Sequence, residues 1–463
     1  MASQDCFAEG ASTGPTATDP DRRLRERLEQ LDLQELSAQV NRDAAAREMS
    51  FRSAGGDQAF RIDPVPRILD ASEWDALSAG VIQRVQALEL FVRDVYGEQQ
   101  IVQAGLISAE TIASAEHYEP QLIGMGANVT CWITVAGLDL VRDSDGSFMV
   151  LEDNLRTPSG IAYALGTREI VAARLPPPDG LEVRSLDGAY ERLGSALRAA
   201  ALPEAEGDPF VVLLSDGESN SAFYEHLAIA AHLDLPIVGI EQLAVRGGRL
   251  FARVEEGERA VDVIYRRTDE DRLSDDHGEP TLLAQLLLDP MRDGKVVCVN
   301  AFGTGVADDK LLHAYVEEMI RFYLSEEPLL RSVPTYDPAQ PGVLEMILER
   351  VGELVVKPRS GSGGYGVVIG PHANPADIEK TAAALAAAPR DFVAQEMIML
   401  STHPTVTERG LEPRHVDLRP FAIAGGEHVE VLPGGLTRVA FEAGALVVNS
   451  SQNGGSKDTW VLA

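Results

Sequence analysis

Glu152 and Asn154, in the stretch VLEDNLRTPSG (Val150–Gly160), stand two residues apart and are followed by Arg156, Pro158 and Gly160. In an extended strand, positions two apart point to one face. A carboxylate beside an amide oxygen is a pair of hard-oxygen ligands suited to Mg2+. Far along the chain, LVVKPRSGSGGYGVVIG places Lys357 ahead of Gly361, Gly363, Gly364 and Gly366. The glycines match G-x-G-x-x-G, but strand-like VVIGP follows where a dinucleotide site needs a helix. A glycine-rich loop between antiparallel strands is instead a flap that can lay backbone N–H groups over phosphates. Lys357 and Gly366 together favour that phosphate cover over a merely flexible hairpin.

Other charged positions are individually ordinary. Asp308 and Asp309 precede Lys310 in GVADDKLLHAYVEEM, where acidic residues suit a helix start and the lysine alone reads as exposed. HVDLRPFAI puts Asp417 and Arg419 on one strand face, for which an ion pair is a sufficient explanation. Arg438 follows two glycines in GGLTRVAF, and Lys457 follows two more in NGGSKDTW. With Gly146 aligned to a calcium-loop glycine, Asp143, Asp145 and Glu152 fall on ligand positions, but Val141 takes the first one and the flanks are strands. That rejects an EF-hand. The nine histidines include no HxH or HExxH, and no G-x-S-x-G elbow is present, so zinc and serine-hydrolase chemistry are not indicated.

Composition narrows the partners. The net charge is −32, from 40 basic and 72 acidic residues. Such an excess repels nucleic-acid backbones and anionic membranes, though not a small nucleotide held by a few converging cations. Cys6, Cys131 and Cys298 form no disulfide framework, which fits a reducing compartment. No signal peptide or membrane span is legible, so a soluble cytoplasmic protein is expected.

The elements that must position these residues follow from periodicity. Residues 1–20 are small and polar and are expected to be disordered. Leu24, Leu28 and Leu31 mark a surface helix within 21–50, and SEWDALSAGVIQRVQALELFVRDVYG a second, with Ser72 as N-cap and Gly97 as terminator. CWITVAGLDLVRD and SFMVLEDN form a hairpin through SDGS. Residues 205–300 contain a strand–loop–helix–strand unit of a parallel α/β sheet. KLLHAYVEEMIRFYL predicts one long helix. The remainder is the flap, an Ala-rich helix and β-rich sequence.

Together these motifs resemble the ATP-grasp superfamily in rotated order. DDK (Lys310), VPT (Val333–Thr335), VVKP (Lys357), GSGGYG, AQEMI, DLR (Arg419) and GGLTR (Arg438) run in the usual sequence, and then the chain ends. The closing pieces, Asp139 in GLDLVRD and the trio Glu152, Asn154 and Arg156, lie in the first third. VDVIYRRTD, NAFGTGVADDK and QNGGSKDTWVL extend the resemblance, from about residue 70 to 463, to the circularly permuted ATP-grasp family, type 2, relatives of glutathionylspermidine synthase. The implied fold is α/β with α+β elements, carrying an associated parallel α/β substrate domain. Its divisions would be 21–204 for the N-terminal helices and the permuted metal-binding strands, 205–300 for the substrate domain and 301–463 for the nucleotide part.

The resemblance implies an ADP-forming ligase that joins a carboxylate to an amine through an acyl phosphate. In that scheme Lys310 and Lys357 bind phosphate oxygens of ATP, and the flap from Ser360 through Gly361, Ser362, Gly363, Gly364 and Tyr365 to Gly366 covers the phosphates. Gln395, Glu396, Met397 and Ile398 surround adenine and ribose. Asp139, Glu152 and Asn154 hold Mg2+. Arg419 and Arg438 stabilise the transferring group, with Arg156 and Lys457 as further catalytic cations. Asn220, Ser221, Tyr224 and Glu225 shape an acceptor pocket, and Arg266 and Arg267 either clamp a carboxylate or form ordinary ion pairs. Expected substrates are small carboxylates and amines: amino acids, peptides or polyamines. The alternatives are a phosphotransferase on the same ATP site and a nucleotide-regulated binding protein without turnover.

Overall fold

Strictly local signals build the first hairpin, and the rest of the main sheet grows on it. Val135–Arg142 is buried along its whole length and pairs antiparallel with Phe148–Asn154. Gly146 turns the connection with a φ of 86°. The computed structural model describes residues 7–9, 19–53, 56–203, 207–270, 272–275, 277–361, 366–426, 428–445, 448 and 454–463.

The main sheet runs in the order Arg331–Ser332, Phe148–Asn154, Val135–Arg142, Gly410–Gly425, His428–Ala440, Gly454–Val461 and Ile62–Leu69, with Thr402–Thr407 also pairing on Gly410–Gly425. Strands from the first third and the last fifth of the chain therefore alternate in one sheet. Gly454–Val461 lies parallel beside Ile62–Leu69, so an early segment closes one edge of the sheet against a late one.

A smaller antiparallel sheet carries Thr335–Tyr336, Phe392–Glu396, Leu354–Pro358 and Val368–Ile369. Helices Val343–Arg350 and Pro375–Ala387 cover it over a core of Ile347, Val351, Leu354, Val356, Leu385 and Ala394. One short run of chain joins the two sheets. Arg331 and Ser332 pair with Met149 and Val150 in the main sheet, and Thr335 then pairs with Gln395 in the small one. This link brings the strand of Glu152 alongside the strands of Lys357 and Gln395.

A third sheet is wholly parallel: Val297–Val299, Val263–Arg267, Val211–Ser215 and Ile237–Val238. Helix Phe223–Leu233 supplies the crossover between Val211–Ser215 and Ile237–Val238. Among the described residues no helix is long and apolar enough to cross a membrane.

Three expectations need correction. The helix Ala71–Val95 starts at Asp70 rather than Ser72, without a side-chain cap. Its stability comes from burial instead, through Trp74, Leu77, Val81, Val85, Leu88, Phe91 and Val92. KLLHAYVEEMIRFYL is not one α-helix. It opens as a 3-10 turn (Leu312–Tyr315), passes through Val316–Met319 and ends in a π-type turn (Ile320–Leu324). Asp309 Oδ1 accepts from the backbone of Leu311 at 2.9 Å and Leu312 at 3.2 Å, which tightens the entry.

The third correction concerns residues 1–20, most of which lie outside the described residues. Phe7–Glu9 are ordered: Glu9 N donates to Thr402 O at 2.8 Å and Thr402 N to Phe7 O at 2.9 Å. Glu9 receives Arg67 Nε and Nη2, both at 2.6 Å, and lies 3.2 Å from Arg142 Nε. Burial pushes the Glu9 carboxyl up, but Arg67 and Arg142 outweigh it and hold the group at about 2. An ionised group below its unfolded value stabilises the fold above pH about 4.5, and that contribution is lost as pH falls toward 2. Glu9→Gln should therefore cost on the order of 3 kcal/mol at pH 7, with the gap to wild type closing between pH 4.5 and 2. Denaturant titrations across that range check it; a gap independent of pH contradicts the assignment.

Candidate active site

Four of the sequence-selected residues line one cleft between the two antiparallel sheets: Glu152, Lys310, Lys357 and Gln395. Cross-strand register explains the first wall. Asp139 pairs with Glu152 and Gly137 with Asn154, so these side chains share a face. The register then slips between Asp139 and Leu140, leaving Leu151 as a bulge beside the cleft. A Cβ at Gly137 would lie 3.1 Å from the Pro158 side chain and 3.3 Å from that of Arg419, so glycine lets both approach the strand closely.

The opposite wall is held by a second set of bonds. Lys357 Nζ donates to Gln395 Oε1 at 2.6 Å, and Gln395 Nε2 donates to Thr335 Oγ1 at 2.9 Å. Lys310 Nζ donates to the carbonyls of Arg359 and Gly361, at the entry of the glycine-rich loop. Burial pushes the Lys357 ammonium below the ordinary lysine value. The carboxylates of Glu152 and Asp139 oppose that shift, while Lys310 adds to it. Residues from both ends of the chain thus share one electrostatic environment.

Asp308 ties these walls together. Its Oδ2 accepts from the backbone of Leu155 at 2.6 Å and Arg156 at 3.0 Å, fixing the segment that follows Asn154 next to Lys310. Arg156 Nη1 meets His117 Nε2 at 2.8 Å, and its Nε lies 3.7 Å from Asp308. Asp309 is buried against Arg359, whose Nε–H is shared between both carboxylate oxygens at 2.9 and 2.8 Å, while its two Nη groups donate to Ser114 Oγ and Thr111 O. Sequence reasoning passed over Arg359, although its place two residues beyond Lys357 on the same strand line was a usable signal.

Four charges form a row along the main sheet: Asp417, Arg438, Asp139 and Arg419. Arg419 holds both oxygens of Asp139, at 2.6 and 2.9 Å, and donates to Ser159 O at 3.1 Å. Arg438 bridges Asp139 at 2.8 Å and Asp417. Burial raises the Asp139 carboxyl, yet the two guanidiniums prevail and hold it down at about 2. Burial raises Asp417, with Arg438 opposing. Asp139, expected as a metal ligand, is therefore already neutralised by arginine.

The remaining donors were tested against Mg2+. Among the described residues no three His, Cys, Asp or Glu side chains gather as a metal cage. Among the described residues Asn154 Nδ2 is buried with no hydrogen-bond partner, and the Glu152 side chain lines the cleft. One carboxylate and one amide fall short of a protein-only cage, but they fit an ion completed by substrate phosphates and water.

Several expected residues serve other ends. Lys457 pairs with Thr437, whereas its neighbour Ser456 pairs with Arg438, so strand alternation turns Lys457 to the face away from the arginines. There it is fully buried against Asp63, with Pro404 O at 2.9 Å. Glu396 is held by Arg350 at 2.9 and 3.0 Å and by Tyr336 at 2.6 Å, and its backbone N–H goes to Pro334 O. Its carboxylate and amide are thus committed to protein partners rather than to a ribose or adenine. Ile398 packs beside Val141, Met149 and Val333, and Met397 follows the strand end. Ser360, Gly361 and Gly366 border the flap, while Ser362–Tyr365 lie outside the described residues.

The acceptor set is also revised. Arg267 donates to Glu225 Oε1 at 2.8 Å and to Pro158 O at 2.7 Å, while Glu225 Oε2 accepts from Gly160 and Ala162 at the start of helix Ile161–Arg174. This buried strut fastens the loop after Asn154 to the parallel sheet and leaves no free carboxylate clamp. Asn220 binds Asp269 and the backbone of Arg267 and Ala222. Ser221 O accepts from Arg52 N, Tyr224 packs 5.2 Å from Tyr163, and Arg266 lies buried over the Phe302 ring at 4.6 Å. Cys131 and Cys298 are buried, their thiols pushed up to about 12 by burial.

Two β lobes closing on a cleft of lysines and a carboxylate define the ATP-grasp fold. The chain belongs to the circularly permuted ATP-grasp type 2 family, whose model matches residues 66–440. It is similar to an uncharacterized protein of Mycobacterium tuberculosis, 43% identical over 472 residues, covering 100% of this chain and 84% of that relative. It also resembles a protein of Frankia casuarinae provisionally named glutamate–cysteine ligase 2-2, 44% identical over 422 residues. That match covers 90% of this chain but 48% of the relative, so the chain spans about half its length. Among solved structures, a glutathione synthetase-like effector from Globodera pallida in apo form shares the fold, with a TM-score of 0.60, 13% identity and coverage of 93% and 98%.

Proposed function

We propose that the protein is an ADP-forming ligase that joins a small carboxylate to an amine through an acyl phosphate. The observation that carries this reading is the convergence of Glu152, Lys310 and Lys357 on one cleft, with Asp139 close enough to act on the same lysine. Membership in an ATP-grasp family and the ligase name of one relative support it.

Lys310 and Lys357 neutralise ATP phosphates, exchanging their present acceptors, a loop carbonyl and Gln395, for phosphate oxygens. Glu152 and Asn154 would hold Mg2+, which when bound supplies charge neutralisation between the phosphate groups. The carboxylate substrate attacks the γ-phosphorus, ADP leaves, and the amine then displaces phosphate from the acyl carbon. Arg419 and Arg438 face the charge that develops in both displacements, and the Asp139 carboxylate keeps them oriented. Such pre-set positive charge carries most of the work in phosphoryl transfer. The arginine–carboxylate row also keeps that face dry and nearly neutral until an anion arrives.

ADP release measured over pooled amino acids, peptides and polyamines, with products weighed by mass spectrometry, tests the reading. The expected result is ADP formation that requires both a carboxylate and an amine and yields a condensed product. ADP formation with a stable phosphorylated product, independent of amine, would replace the ligase by a phosphotransferase.

A further inference from the structure

His313, three residues after Lys310, is used by no step above. Its side chain is 5% exposed, and the ring helps line the cleft with Glu152, Lys310 and Lys357. Nδ1 lies 2.8 Å from Asp153 Oδ2. Arg84 holds the same carboxylate in a fork, at 2.6 and 2.8 Å, and is itself buried in the long helix Ala71–Val95. Arg84 Nη2 also comes within 3.2 Å of Nδ1, but a carboxylate oxygen only accepts, so its 2.8 Å contact with Nδ1 requires the proton on that nitrogen. The shorter, charge-assisted contact decides the tautomer: Nδ1 carries the proton and gives it to Asp153.

In the neutral ring Nε2 is then an acceptor. Among the described residues it is buried with no hydrogen-bond partner. Such an atom is costly unless the cleft supplies a donor. Phosphate oxygens are acceptors and cannot serve. The nearby ammonium groups are placed otherwise, Lys357 on Gln395 and Lys310 on the loop carbonyls. A water bound to a divalent cation is a donor of the right kind, because the cation polarises its O–H bonds. Asp153 stands between Glu152 and Asn154 in sequence, so the dyad also fixes the strand that presents those two side chains.

We propose that His313 Nε2 accepts a hydrogen bond from a water in the shell of a nucleotide-bound Mg2+, with Asp153 and Arg84 holding the ring in the accepting tautomer. His313 is thereby a positioning residue for the metal–nucleotide complex, and the inference rests on the ATP-binding reading above. Outer partners of this type usually change metal affinity by about 10–100-fold.

Calorimetric titration of the full chain with ADP, with and without Mg2+, tests it without turnover. His313→Ala should weaken Mg–ADP binding by about tenfold and leave metal-free ADP binding unchanged. His313→Gln, whose amide oxygen can accept at similar reach, should recover most of that loss. Nitrogen-15 NMR should place the free protein's ring proton on Nδ1, and the Nε2 resonance should move with Mg–ADP but not with metal-free ADP. Equal losses for both forms of ADP in His313→Ala, no loss at all, or a proton on Nε2 would each overturn the proposal. Wild-type protein that fails to bind Mg–ADP would instead overturn the ATP reading itself.

Discussion

Glu152→Gln and Asn154→Ala are each expected to lower turnover by about 10²–10³ while leaving the melting temperature near wild type. The two halves of this result have separate causes. Among the described residues Asn154 Nδ2 has no hydrogen-bond partner and the Glu152 side chain lines the cleft, so neither substitution cuts into the core. What changes is the charge facing the lysines, because the Glu152 carboxylate is the largest charge acting on Lys357. Removing it leaves two cations at one wall of the cleft without their counter-charge and takes away the single carboxylate donor offered to Mg2+. Single-turnover ADP formation and thermal denaturation, run on the same preparations, separate the two readouts. Full activity in either variant at low Mg2+ would remove the pair from the reaction.

Arg438→Met should produce the largest combined effect, since this guanidinium is the bridge between Asp139 and Asp417. Its loss leaves two buried carboxylates on one face, with Arg419 still on Asp139 and no cation between the two. Breaking one partner out of a buried ionic row typically costs about 3–5 kcal/mol. Two facing carboxylates relieve the repulsion by sharing a proton, so the variant should regain stability relative to wild type as pH falls from 7 toward 5. The sign follows from Asp417, whose carboxyl burial already raises. Adding Asp417→Asn should restore much of the stability but none of the turnover, which separates the structural duty of Arg438 from its duty toward the transferring group. Denaturant midpoints at pH 7 and 5 for the single and double variants decide this. A single variant as stable as wild type at pH 7 would show that the row contributes little.

Much of the scaffold was legible because its signals are local. Alternating apolar residues with Asp-Gly at the turn specify the hairpin 135–154, and a buried run followed by a helical period specifies the parallel unit beginning at Val211. The glycine-rich loop could be assigned between antiparallel strands because VVIG cannot open a helix, and Val355 indeed pairs with Ile369. The rotated order of motifs was equally readable, since it depends on residue types and not on coordinates.

The sequence by itself determined the order of the ATP-grasp motifs and which strand face each of their side chains can use. Tertiary structure alone decided which charges are spent. Lys457 sits one residue from a partner of Arg438 yet faces the far side of the sheet, because a single step of strand register reverses a side chain. Arg267 read as either a carboxylate clamp or an ion-pair partner, and Glu225 as lining of an acceptor pocket, until folding joins them to the loop at Pro158 and Gly160. Phe7–Glu9 read as tail until Thr402 and two arginines receive them. Asp153 and His313 are 160 positions apart, and no local pattern links them. An ion pair is a property of distance and burial, and both are set by contacts between segments remote along the chain. The residues that can act were therefore visible beforehand, whereas the residues left available to act were fixed only when the chain closed on itself.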